Sequence, residues 1–129
     1  ADQSTILKID PETDHCRTFG FVGDDKNKWQ GGVLASSDGC VYAIPADGKH
    51  VLRIDTRKER DKNQDNPIAL IGNLPSRKDK WQGAFLGNDG AMYAIPEGGY
   101  RILRVTPDAV RRDWKDKETS EKTVRVELL

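Results

Sequence analysis

The sequence has few of the residues on which metal, redox or disulfide chemistry depends. Its 129 residues include only two cysteines, Cys16 and Cys40, and two histidines, His15 and His50. These cysteines are too few and too widely spaced for a zinc site. The motifs of phosphate loops, zinc proteases and nucleophile elbows are missing as well. We therefore predict no catalytic residue, no metal and no cofactor, and a protein that is not an enzyme.

Charge of one sign and long apolar runs are also lacking. The chain has 21 basic and 21 acidic side chains, and their signs alternate through residues 57–62. Nucleic-acid binding needs patches of one sign, so a nucleic-acid partner is not expected. No apolar stretch is long enough to cross a bilayer, and we expect a soluble chain without membrane insertion.

What the chain does have is an internal repeat. Residues 28–45 read KWQGGVLASSDGCVYAIP, and residues 80–96 read KWQGAFLGNDGAMYAIP. The first copy is followed by VLRID at 51–55 and the second by ILRVT at 102–106, while ILKID at 6–10 lacks a preceding half. Self-similarity at about 50 residues is typical of stacked or radial repeat architectures.

Each unit has the pattern of four short antiparallel strands. Asp38-Gly39 and Asp89-Gly90 lie between apolar runs and indicate hairpin turns. The predicted strands are Trp29–Ala35, Cys40–Ile44, Val51–Ile54, Ile68–Ile71, Ala91–Ile95 and a closing strand over 123–129. We predict an all-β partial β-propeller of about two and a half blades: a partial blade at 1–27, a full blade at 28–79, and a second blade with a charged insert at 80–129.

One segment allows two interpretations. Thr106-Pro107-Asp108 has the composition of a helix start, and Val110 and Trp114 share one helix face at i, i+4. A short helix over about 107–118 is one interpretation. The other is a charged inter-strand loop, equivalent to 56–66, with Trp114 folded onto the blade.

The repeated tryptophans are the best candidate contacts for a partner or ligand. Aromatic residues at equivalent blade positions can bind sugars or proteins, but beside Gln-Gly they can also fill the space between blades. Packing is the favoured role. The candidate contacts are Trp29, Gln30, Trp81, Gln82 and Trp114. Cys16 and Cys40 align with Ile68 and Ala91, which favours buried free thiols over a disulfide, and His15 and His50 are expected at the surface.

The motif KWQGGVLA…DG…VYAIP followed by VLRID resembles a repeat of kelch-like propeller proteins of algae and other protists. The resemblance extends from Ile6 to Pro107, with departures at Ser36-Ser37, at Ala43 and Ala94, and in the charged inserts at 57–66 and 108–122. It implies a blade and no particular reaction. The resemblance also implies an algal or protist source. In such an organism the processed chain could belong to an assembly inside an organelle.

Two and a half blades are too few to close a ring, since propellers usually have at least four. The chain is then part of a longer polypeptide, or its copies associate, or it lays its open side on another protein. We expect a non-catalytic interaction or scaffold module, an accessory subunit docked on a larger assembly. The alternative is a lectin-like propeller that binds carbohydrate through its tryptophans. A fragment of a propeller enzyme is a third hypothesis, but the acids it needs are not repeated.

Overall fold

The structure, a computed structural model, describes residues 2–57, 66–98, 101–107 and 124–129. Within these ranges every regular element is a β-strand and every strand pairing is antiparallel, which confirms the all-β prediction. No helix of the described residues is long and apolar enough to span a membrane. The predicted helix at 107–118 lies outside these ranges from residue 108 onward.

Ten strands of the described residues form three sheets. They are β1 (Ile6–Ile9), β2 (Cys16–Phe19), β3 (Trp29–Ala35), β4 (Cys40–Pro45), β5 (Val51–Asp55), β6 (Ile68–Ile71), β7 (Phe85–Leu86), β8 (Met92–Ala94), β9 (Leu103–Thr106) and β10 (Arg125–Leu128). Strands β1 and β2 pair as a two-stranded sheet, here called the hairpin. Sheet 1 has the order β3-β4-β5-β6, and sheet 2 has the order β10-β9-β8-β7. Each sheet of four is thus a meander in chain order.

The registers show that the repeat in sequence is a repeat in structure. Tyr42 pairs with Arg53 in sheet 1, and Tyr93 pairs with Arg104 in sheet 2. The hairpin corresponds to the third and fourth strands of a sheet, because Ile9 pairs with Cys16 as Ile54 pairs with Ile68. The three sheets are therefore two four-stranded units and the last two strands of another.

Alternation along the strands gives each sheet two distinct faces. We call the face that bears Tyr42 in sheet 1 and Tyr93 in sheet 2 the front, and the face that bears Leu52 or Leu103 the back. The front of sheet 1 packs against the back of sheet 2 in the larger core cluster, which includes Tyr42, Ile44, Val51, Met92, Ala94, Leu103 and Val105. A smaller cluster joins the back of sheet 1 to the hairpin through Val22, Trp29, Leu52 and Ile6. Sheet 1 is therefore the middle layer.

The predicted hairpin turns are present. Gly39 and Gly90 have φ of 67° and 79°, a conformation that glycine adopts without penalty. The Asp38 carboxylate accepts the Cys40 main-chain N–H at 2.9 Å, and Asp89 accepts that of Ala91 at 3.1 Å. The aspartates thus stabilise the turns.

The second unit is less regular than its sequence predicts. Its predicted return strand Ala91–Ile95 is observed only over β8, and its first strand is reduced to β7 with an isolated bridge between Trp81 and Pro96. One residue is missing before Asp89-Gly90 compared with the first copy. Among the described residues, sheet 2 is also packed on one face only, so less burial supports its strand pairing.

The prediction that both cysteines are buried is wrong for Cys16. Both thiols are free, but only Cys40 is buried and Cys16 is exposed. Cys16 pairs with Ile9 on the outer side of the hairpin, where no layer covers it. The two histidines also differ in exposure. His15 is exposed, whereas His50 is half-buried and its Nδ1 atom lies 2.5 Å from the Gly72 carbonyl oxygen.

Candidate functional site

The two repeated tryptophans are structural anchors between units. Trp29 is 8% exposed and Trp81 is 3% exposed. The indole N–H of Trp29 donates to the His50 carbonyl at 2.8 Å, and that of Trp81 donates to the Arg101 carbonyl at the same distance. In each unit the acceptor lies just before the third strand, and a hydrogen-bonded N–H is what is expected for a buried indole.

A lysine lies over each tryptophan. The ammonium nitrogens of Lys28 and Lys80 are 5.8 and 5.9 Å from the ring centroids of Trp29 and Trp81, within the range of cation–π attraction. Lys28 donates to the Asp25 carbonyl, and Lys80 donates to the Arg77 carbonyl at 2.9 Å. Burial lowers the pKa of Lys80, an effect that the nearby Asp47 carboxylate opposes.

The other candidate contacts do not converge with the tryptophan rings into one site. Gln30 is half-buried and donates through Nε2 to the Asn27 side-chain oxygen at 2.9 Å. Gln82 is exposed, and Trp114 lies outside the described residues. The main-chain carbonyl of Gln30 also accepts the main-chain N–H of Gly83 at 3.1 Å, a direct bond between equivalent segments of the two units.

Each unit carries a tyrosine held by an aspartate and an arginine, a group that the sequence analysis did not single out. The Tyr42 hydroxyl donates to Asp38 Oδ2 at 2.6 Å and accepts from Arg53 Nε at 3.2 Å. In sheet 2 the Tyr93 hydroxyl donates to Asp89 Oδ2, also at 2.6 Å. The signal was available, because aspartate, tyrosine and arginine recur at identical spacings of four and eleven positions.

The two tyrosines differ in burial, and their pKa values follow. Tyr42 is fully buried, and this burial together with the hydrogen bond to Asp38 raises its pKa well above its usual value. The pKa of the half-buried Tyr93 is raised mainly by its hydrogen bond to Asp89, whose own pKa is lowered by the same bond. Neither tyrosine is poised to exchange a proton near neutral pH.

A carboxylate bridge links each unit to the next. Asp2, four residues before β1, accepts the Asn27 main-chain N–H at 2.6 Å, and Asp47, four residues before β5, accepts that of Asp79 at 2.8 Å. Asn27 and Asp79 both have positive φ, 47° and 48°. Gly98 holds the corresponding position in sheet 2, so the series of bridging carboxylates stops there.

The front of sheet 2 is the clearest candidate for an interaction surface. Ile95 is 52% exposed, whereas its equivalent Ile44 is completely buried by sheet 2. Ile102 is 38% exposed, whereas its equivalent Val51 is completely buried. Burial of one such side chain is worth about 1.5–3 kcal/mol. The same face of the repeat is thus covered in one unit, whereas in the other no sheet of the described residues covers it.

Phe85 extends this surface at the first strand. It pairs with Tyr93 and is 72% exposed, whereas Val33, which pairs with Tyr42, packs against the core. We call Phe85, Ile95 and Ile102 the front patch. Exposed apolar side chains that are contiguous commonly mark contact surfaces, although single ones are ordinary.

The outer side of the hairpin, at the opposite end of the stack of sheets, also has an apolar surface. It corresponds to the back of a sheet, as the front patch corresponds to the front. Leu7 and Ile9, on the outer side of the hairpin, are 59% and 57% exposed. They correspond to Leu52, which is 4% exposed, and to the half-buried Ile54, both of which pack under the hairpin. We call Leu7 and Ile9 the back patch, since their equivalents lie on the back of sheet 1.

Among the described residues no three His, Cys, Asp or Glu side chains are grouped as metal ligands would be. Comparisons with known proteins add no assignment. A scan of protein-family models finds no match to the chain, and a search of curated proteins finds no significantly similar sequence. The likeness to kelch-like repeats therefore depends on the repeated residues alone.

Proposed function

We propose that this chain is a non-catalytic protein-interaction or scaffold module. In this proposal it is a partial β-propeller of about two and a half blades, of the kelch-like kind, that docks on a larger assembly as an accessory subunit or as part of a longer chain. Support comes from two antiparallel four-stranded units that pack front to back, with two further strands on the other side. Propeller blades are four-stranded antiparallel sheets repeated around an axis, and the two units share that strand number and pairing.

The observation that carries the proposal is the front patch. The first unit serves as the comparison for this face. When another sheet packs on it, the equivalent side chains Ile44 and Val51 are completely buried. Complete burial of such a side chain is worth about 1.5–3 kcal/mol, so the partial exposure of Ile95 and Ile102 forgoes only a fraction of that value for each, and a protein partner would recover part of it. Apolar core contacts surrounded by polar groups are typical of protein interfaces.

A dye-binding experiment tests the proposal. At low protein concentration the purified chain should sediment as a compact particle and bind an apolar fluorescent dye such as ANS. Ile95→Asp should lower dye binding without unfolding the chain, because Ile95 is exposed. The equivalent Ile44→Asp places a charge in the core and should unfold it. A compact monomer that binds no dye would contradict the proposal.

No observation favours the carbohydrate-binding alternative. Trp29 and Trp81 are buried, and their indole N–H groups are bonded to main-chain carbonyls. Sugar sites need an open aromatic face, which neither ring offers in this arrangement. Carbohydrate binding through these residues stays a prediction without structural support.

A further inference from the structure

We propose that the front patch of one copy of this chain docks against the back patch of a second copy, in a head-to-tail contact. The inference rests on the proposed function and names the partner: another molecule of the same chain. It adds a specific geometry, in which Phe85, Ile95 and Ile102 of one molecule meet Leu7 and Ile9 of the next.

The contact between sheets 1 and 2 is the template. There the front of one unit receives the back of the following unit, and the side chains of both faces are buried in one core cluster. The front patch has the residue types of the covered front face, with isoleucines at both positions that Ile44 and Val51 occupy in sheet 1. The back patch has those of the covered back face, with Leu7 for Leu52 and Ile9 for Ile54. Both halves of the contact are therefore present on every molecule.

The polar groups of the front face do not prevent its burial. Tyr42, bonded to Asp38 and Arg53, is completely buried at the internal contact. The corresponding tyrosine in sheet 2 is bonded to Asp89, and the neighbouring Arg104 forms an ion pair with Glu127 at 2.6 Å. Since these groups satisfy one another, a covering sheet would leave few of them unpaired.

Charge also permits association between copies. The formal net charge is zero at pH 7, so two molecules carry no net repulsion. Because the front and back patches are different surfaces, the contact is heterologous, and successive copies add until a ring closes or a fibre grows.

Complementation of two variants tests the geometry. Ile95→Asp removes the front patch and Ile9→Asp removes the back patch, and both positions are exposed, so both variants should keep the wild-type circular dichroism spectrum. Wild-type protein should associate progressively in sedimentation velocity between low and high micromolar concentration. Each variant alone should dissociate at least about tenfold more readily, because a carboxylate would be buried in the contact.

Mixing the two variants is the decisive step. Each retains one intact patch, so the mixture should form a one-to-one dimer that neither variant forms alone. Since both substitutions introduce a negative charge, the altered patches cannot attract each other. Ile102→Asp and Leu7→Asp form a second pair should either first variant misfold.

Three results would overturn the inference. Wild-type protein that stays monomeric at high micromolar concentration excludes the contact. If the front patch of that monomer still binds dye, the proposed function stands and its partner is a different protein. Association that survives Ile95→Asp places the contact elsewhere. Association that both variants abolish but that mixing does not restore excludes the head-to-tail arrangement.

Discussion

At the scale of single residues, identical chemistry has different consequences in the two units. Tyr42 and Tyr93 make the same 2.6 Å hydrogen bond to an aspartate in the preceding turn. Tyr42 is completely buried and Tyr93 is half-buried, because sheet 2 covers only the first. The repeat thus supplies matched pairs of positions in which chemistry is constant and burial varies.

The first prediction compares the two hydroxyl groups. Tyr42→Phe should lower the free energy of unfolding by about 1–3 kcal/mol, because it removes a completely buried hydroxyl and leaves the half-buried Asp38 and Arg53 without their hydrogen bonds to it. Tyr93→Phe should lower it by less than about 1 kcal/mol, since water can replace the hydroxyl. Urea unfolding of both variants measures the difference, and equal losses would contradict the assignment of burial as its cause.

The second prediction concerns alkaline pH. Burial, with the charge of Asp38, raises the pKa of the Cys40 thiol from 9.0 to about 11. Between these two pH values the unfolded chain loses the thiol proton while the folded state keeps it. The contribution of the protonated Cys40 thiol to the free energy of unfolding is therefore complete below about pH 9 and is lost as the pH rises through about 11. Cys40→Ala should flatten the fall in urea midpoint over that range.

Alanine is a suitable replacement because Ala91 stands at the equivalent position. Some alkaline slope should remain, since the pKa of the neighbouring Tyr42 is raised as well. Cys16→Ala, at an exposed position, controls for the loss of a thiol as such. An unchanged alkaline slope in Cys40→Ala would show that the thiol has no part in it.

At the scale of elements, the two units approach each other closely where β3 lies beside the segment that precedes β7. A Cβ atom added to Gly31 would be 3.0 Å from the Gly83 Cα atom, and the Gly83 N–H donates to the neighbouring Gln30 carbonyl. Gly31 and Gly83 both have φ of 73°, but a Cβ atom on Gly83 would meet nothing within 4 Å. Glycine is needed for backbone conformation at both positions and for close approach at one.

The third prediction separates these two requirements. Gly83→Ala should destabilise the protein by about 1 kcal/mol, through the positive φ alone. Gly31→Ala should cost more, on the order of 2–3 kcal/mol, because the backbone of the second unit must also shift. Thermal or urea unfolding provides the measurement. Equal effects would mean that the second unit moves away without cost.

The elements also show where prediction from the sequence succeeded. β3 and β6 have the predicted bounds, and β10 lies within the predicted closing segment 123–129. β7 and β8 are shorter than the repeat suggested. Strand length depends on packing against neighbouring sheets as well as on residue pattern, and within residues 2–57, 66–98, 101–107 and 124–129 the second unit has a neighbouring sheet on one face only.

At the scale of the whole molecule, the layer order predicts a gradient of local stability. In the part of the chain that the structure describes, sheet 1 is covered on both faces and sheet 2 on one, and the hairpin has two strands with an exposed outer side. In repeat proteins stability is approximately the sum of each unit and its contacts with neighbours. The middle layer should therefore open least often.

The fourth prediction states this gradient for equivalent strands. Native-state hydrogen exchange should show the greatest protection in β5, intermediate protection in β9 and the least in β1, measured at low protein concentration where copies are separate. Because β1, β5 and β9 have nearly the same sequence pattern, intrinsic exchange differences are small and can be corrected. Equal protection in β1 and β5 would contradict the layer order.

The sequence by itself determined the repeat, the strand pattern and the Asp-Gly turns, because these follow from local periodicity and from backbone conformations that glycine favours. It also favoured packing as the role of Trp29 and Trp81. The aspartate–tyrosine–arginine groups were visible as spacings, but only the registers of the strands brought them together. Which copy of each group is buried was decided by the tertiary structure alone. Ile44 and Ile95 have the same neighbours in sequence, but the order of the layers places Ile44 in the core and leaves Ile95 half exposed.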